Sequence, residues 1–197
     1  MVLLSRIVLA SSVVLLALAA AGCGGGSDDS SSSSSGTDAK TWAKDVCGAL
    51  DTWSNDVKSG SKDLGESLRD TSSPKDAKDK VVAYLEDVQD STKTMVDDVK
   101  GAGTPAIEKG QAIQDDLENG LEEARNSFDQ AVESAKKIDT SNLRAFTTGL
   151  SNLSQQIQTQ LTQASGDLKG LENKYDVGEL NDALQNEPSC KSIVSSS

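Results

Sequence analysis

The sequence predicts an all-α protein: an up-down-up-down four-helix bundle of coiled-coil type, with a short fifth helix at its C-terminal end. Three observations predict it. Apolar residues recur at steps of three and four along four successive segments, the spacing of one stripe on an α-helix. Turn-forming and capping clusters separate those segments at 71–74, 101–105 and 139–141. No run alternates β-branched and polar residues as a strand would. Only 36% of the residues are hydrophobic and 3% aromatic. A narrow heptad seam is the architecture that so thin an apolar supply can still line.

The first helix is expected to begin near Asp38. Trp42, Val46, Leu50, Trp53 and Val57 form its stripe, which continues through Leu64 and Leu68. Both tryptophans of the chain lie here. Gly48, Gly60 and Gly65 each cost ~1 kcal/mol against alanine in a helix interior. Ser59-Gly60-Ser61 is therefore the expected kink or break. Ser73 reads as the N-cap of the second helix, Pro74 as its first residue and Asp76 as a capping-box acid. Its seam is Ala77, Val81, Leu85, Val88, Thr92, Met95 and Val99. Gly101 to Pro105 ends it and opens the third helix in a tight turn.

The third helix carries Leu117, Leu121, Ala124, Phe128, Ala131, Ala135 and Ile138, and Ile107, Gly110 and Ile113 extend the stripe backwards. It is expected to run about 33 residues, or ~50 Å. Asp139-Thr140-Ser141 reads as the cap of the fourth helix. That helix presents Leu143, Phe146, Leu150, Leu153, Ile157, Leu161, Ala164, Leu168, Leu171 and Tyr175. Its outer face is rich in Gln, Ser, Asn and Thr rather than charge. A short fifth helix at 177–186 shows Leu180, Ala183 and Leu184. Glu187-Pro188-Ser189-Cys190 is expected to end that helix and the domain to close at Cys190, with 191–197 a disordered tail, frayed at 195–197.

Ahead of the bundle stands an export signal. Arg6 gives a short positive region, residues 7–21 are apolar apart from Ser11 and Ser12, and Ala20-Ala21-Gly22 is a small-residue cleavage site. The apolar run is shorter than the ~20 residues of a membrane span. Cys23 follows directly. Ala20-Ala21-Gly22-Cys23 resembles the bacterial lipobox, with Ala20 where leucine is usual. That resemblance implies a signal peptide over 1–22 and acyl chains such as palmitate on Cys23. The alternative is a plain secretory signal with a chance cysteine. Two acyl chains suffice for stable anchoring, at ~0.8 kcal/mol per buried methylene. Residues 24–36 are almost all Gly and Ser and can bury no apolar area. They read as a disordered tether, within a linker region spanning 23–37, of roughly 20 Å reach.

Lys plus Arg number 19 against 31 Asp plus Glu, a net charge of -12. Such a field repels nucleic-acid phosphates and anionic lipid heads, so no nucleic-acid partner is expected. The chain has no histidine, which removes Ser-His-Asp and Cys-His catalysis and any His-ligated zinc or haem. Asp97-Asp98, Asp115-Asp116 and Glu122-Glu123 are adjacent acids that point about 100° apart on a helix, so they read as solvated faces and no metal site. Gly103 to Gly110 lacks phosphate-loop spacing. Trp42, Trp53 and Tyr84 read as core in preference to a ligand pocket. No catalytic, cofactor-binding or metal-binding residue is expected.

Cys47 and Cys190 are the only cysteines of the domain at 38–190. Exported proteins permit disulfides, and an even helix count returns Cys190 to the end where Cys47 lies. A bond is the expected state, with two free buried thiols as the alternative.

Trp42…Val46-Cys47…Trp53 at the domain's start, Gly103-Thr104-Pro105 between the central helices and Pro188-Ser189-Cys190 at the end are together similar to small helical lipoproteins of actinobacterial cell envelopes. The resemblance covers most of 38–190 and implies compartment and fold. It implies no activity. The expected protein is thus non-enzymatic and lipid-anchored on the extracytoplasmic face of the cell membrane, with a structural or protein-interaction role and an envelope protein as partner. The alternative is a binding protein that holds a small apolar or lipid-like ligand between its helices.

Overall fold

The computed structural model describes residues 36–175 and 178–195, with side chains outside 161, 164–173 and 192–195. Residues 1–35, with the expected signal sequence and Cys23, lie outside the described part. All regular structure in it is helical: α1 Ala39–Arg69, α2 Pro74–Gly101, α3 Gly110–Lys136, α4 Leu143–Lys174, α5 Gly178–Asn186 and α6 Pro188–Ser195.

Local chemistry sets the helix starts. The Asp38 carboxylate accepts from the amides of Lys40 and Thr41 at 3.0 and 3.2 Å, satisfying donors that a helix leaves orphaned. Ser73 accepts from the Asp76 amide at 3.1 Å, with Pro74 next to it. Asp76 takes a hydrogen bond from Ser72 Oγ at 2.8 Å, which holds its carboxyl below the usual range. At α4 the cap is Asn142, whose Oδ1 accepts from the Ala145 amide at 2.9 Å. The residues expected to cap it belong to the preceding turn, where Asp139 holds the Ser141 amide at 2.8 Å.

Four expectations are corrected. Helix α1 shows no break at Ser59-Gly60-Ser61, and the Tyr84 ring of α2 lies against Gly60: a Cβ there would sit 3.0 Å from Tyr84 Cε2. Helix α3 starts at Gly110, later than the stripe suggests. Residues 102–109 form a folded loop, in which Lys109 takes a left-handed φ of 60° and the Pro105 carbonyl lies where a Cβ of Gly110 would be, 1.9 Å away. Leu143 starts α4 but is 68% exposed, and the first buried residue of that helix is Phe146. The fifth helix ends at Asn186, just ahead of Pro188 as expected, but Pro188 then opens a further helix, α6, as a proline at a first helical position can. Residues 191–195 of the expected tail are therefore helical.

The seven expected seam residues of α2 are all buried. Around them α1 packs on α2, α2 on α3, and α3 on α4. Among the described residues α4 touches α2 but not α1, and a face of α1 is covered by α5 and α6. Two apolar clusters result. One joins Trp42, Val46, Met95, Val99, Ile113 and Leu121 with Leu180 and Ala183 of α5. The other joins Val81 and Leu85 with Ala131, Ala135, Phe146 and Leu153.

Candidate functional site

The entry of the chain into the helical domain is tied to the α2–α3 loop. The Thr37 amide donates to Thr104 O and the Ala106 amide to Thr37 O, each at 2.7 Å. Thr37 Oγ1 donates to Ala102 O at 2.8 Å. One turn into α1, the buried Trp42 donates its indole N–H to Gly103 O at 2.8 Å and Gln114 Oε1 at 2.9 Å. Gln114 is 2% exposed, and its amide nitrogen reaches Val99 O and Glu118. Sequence reasoning missed Gln114, because a glutamine between stripe residues reads as surface. Its only signal is its place beside Ile113 on the inward arc.

Cys47 and Cys190 are bonded, across a sequence separation of 143. Cys47 continues a row of small buried residues, Ala39 and Ala43 before it, each four apart and so on one face. At Cys47 that face is joined to α6 through Cys190. The row was not legible as a stripe, since alanine and cysteine carry little apolar signal. Cys23, the expected lipidation site, lies outside the described residues.

The three aromatics do not converge. Trp42 belongs to the loop end, Trp53 donates to Thr92 Oγ1 at 2.9 Å and meets Phe128 edge-on, and Tyr84 donates to Val57 O at 3.3 Å. Burial pushes the Tyr84 hydroxyl upward. One member of each acid pair forms an ion pair. Asp97 holds Lys93, and Glu122 holds Lys100 and Arg125. Asp116 accepts from Lys174 at 2.6 Å and Tyr175 at 2.7 Å, which holds its carboxyl below the usual range. Among the described residues no group of three or more Cys, Asp or Glu could hold a metal ion, and no helix is long and apolar enough to cross a membrane.

Among the described residues two surface clefts stand out. One of about 240 Å³ lies between α1 and α2, where Gly60, Asp56, Tyr84 and Asp87 surround Val88. The other, about 340 Å³, lies between the end of α3 and the start of α4. The seam itself is filled, with Thr92, Val96 and Val99 each under 2% exposed. Comparison with known protein families, with characterised proteins and with solved structures finds no match to this chain.

Proposed function

We propose that the protein is a lipid-anchored helical bundle on the outer face of the cytoplasmic membrane, with a structural or protein-interaction role in the cell envelope and no catalytic activity. The observation that carries this reading is the sequence Ala20-Ala21-Gly22-Cys23 followed by a Gly/Ser segment. The bonds of Thr37 to the α2–α3 loop support it, because they make one end of the domain the point of attachment and leave the opposite end free. On this reading α1 to α4 form an up-down-up-down frame. Pairs of cross-helix bonds support that course, because the earlier residue of one helix meets the later residue of the next: Trp53–Thr92 with Val57–Tyr84, Gln89–Asp129 with Lys100–Glu122, and Gln130–Gln160 with Ser134–Gln156. The similarity to actinobacterial envelope lipoproteins points the same way.

Replacing Cys23 by Ala tests the anchor. The variant is expected to leave the membrane fraction for the medium; a Cys23→Ala chain that stays membrane-bound ends the lipid-anchor reading. Crosslinking in intact cells then tests the role: a specific protein adduct is expected, whereas specific turnover by the purified protein would replace it with an enzymatic one.

A further inference from the structure

The 340 Å³ cleft at the α3–α4 end has a composition unlike the rest of the surface. Its floor is apolar: Ile138 and Leu153 are buried, and Ala145 and Gly149 are half-buried. Ile138 packs directly on Gly149, where a Cβ would stand 2.7 Å from Ile138 Cγ2. Its walls are Ser134, Thr148, Asn152 and Gln156. Each of these side chains both donates and accepts hydrogen bonds. Lys137 and Asp139 stand at one end with opposite charges. Residues 145–166 contain no charged side chain, in a chain that is 25% charged. One turn beyond Gln156, Gln160 gives its amide N–H to Gln130 Oε1 at 3.0 Å, while its own carbonyl oxygen is buried without a donor.

We propose that this cleft binds a neutral, polyhydroxylated ligand: one or two sugar units of an uncharged glycan. A pyranose has an apolar C–H face and a rim of hydroxyls, which match the floor and the walls. The volume is near the lower end of ligand pockets. An anion would enter against the field of a chain carrying -12. A cation would meet one carboxylate, Asp139, already engaged by the Ser141 amide. Gln156 Oε1 already accepts from Ser134 Oγ at 3.1 Å, but an apolar ligand would bury the Asn152 amide and the Gln156 N–H without partners, which is unfavourable. Sugar hydroxyls, which both donate and accept, suit Thr148, Asn152 and the Gln156 N–H that the Ser134 bond leaves over. A helical turn of ~5.4 Å is close to the length of one sugar ring, so Asn152 and Gln156, one turn apart, can meet adjacent units. The cleft lies at the end of the domain away from Thr37. Its outward orientation rests on the anchor reading; its ligand chemistry does not.

The test titrates the purified full chain with maltose, cellobiose and N,N′-diacetylchitobiose, followed by NMR shifts. At least one is expected to bind saturably with a Kd of ~1 mM. A double variant, Asn152→Ala with Gln156→Ala, is expected to weaken that binding about tenfold or more. Thr94→Ala on α2 is expected to leave it unchanged. Alanine is the better helix former at both cleft positions, so an unchanged melting temperature separates loss of the site from loss of the fold. Absence of saturable binding by any of the three up to about 20 mM overturns the proposal. So does full affinity in the double variant, or preference for glucuronate or glucosamine over the neutral sugars. Self-association of the chain with no sugar bound would assign the uncharged face to a second copy and likewise overturn it.

Discussion

Trp42 shows how one side chain fixes a junction. Its indole N–H is shared between Gly103 O and Gln114 Oε1, so a single donor serves the α2–α3 loop and the first turns of α3 together. Trp42→Phe keeps the ring and removes the donor. Two acceptors then lose their partner in a largely buried place, a situation that costs about 1–3 kcal/mol per group. The variant is expected to lose about 2–3 kcal/mol in urea unfolding. A loss of a few tenths would mean that water replaces the indole. Trp42 was legible as core from its spacing. Its partners were not, because a main-chain carbonyl leaves no trace in the sequence and Gln114 resembles its exposed neighbours. The same holds for Lys109 and Gly110: periodicity carries the α3 stripe back to Ile107, but the left-handed φ of Lys109 and the closeness of Pro105 O to Gly110 stop the helix first.

At the scale of elements, α2 was read residue by residue, because all seven seam positions face neighbours that bury them. Helix α1 was read less well. Propensity treats Gly48 and Gly60 alike, and tertiary packing separates them. A Cβ at Gly48 meets nothing within 4 Å, whereas at Gly60 it meets the Tyr84 ring. Gly48→Ala is therefore expected to gain about 0.5–1 kcal/mol, and Gly60→Ala to gain none, as thermal unfolding would show. An equal gain at both positions would mean that the ring moves freely. Helices α5 and α6 present a different case. Among the described residues they pack on α1 and on each other, and the Cys47–Cys190 bond ties them to it. Closing so long a loop contributes up to ~5 kcal/mol in the chain-entropy account. The double variant Cys47→Ala with Cys190→Ala is expected to speed hydrogen exchange in α5 and α6 well before α2 and α3. Uniform acceleration throughout would instead make all six helices one cooperative unit.

For the molecule as a whole, helical class was legible because periodicity is repeated in every segment, and the partner of Cys47 because only one other cysteine remained in the domain. The α3–α4 cleft was only half legible. The uncharged face of α4 is plain in the sequence, but the concavity needs Ile138 to fold onto Gly149 across a turn, a contact no local pattern encodes. Placed against a membrane, the two ends of the domain are unequal. Thr37 is bonded to Thr104 and Ala106, so under the proposed anchoring at Cys23 the domain is held beside its α2–α3 loop. The α3–α4 turn stands at the other end of α3, whose 27 residues span ~40 Å. The chain's charge of -12 also disfavours lying flat on anionic heads. A fluorophore at Lys109 is therefore expected to be quenched strongly by spin-labelled lipid headgroups, and one at Asn142 weakly, when the full chain sits in anionic vesicles. Equal quenching at the two positions would mean that the domain lies along the surface, and then the cleft at Ile138 would face lipid as readily as the envelope beyond it.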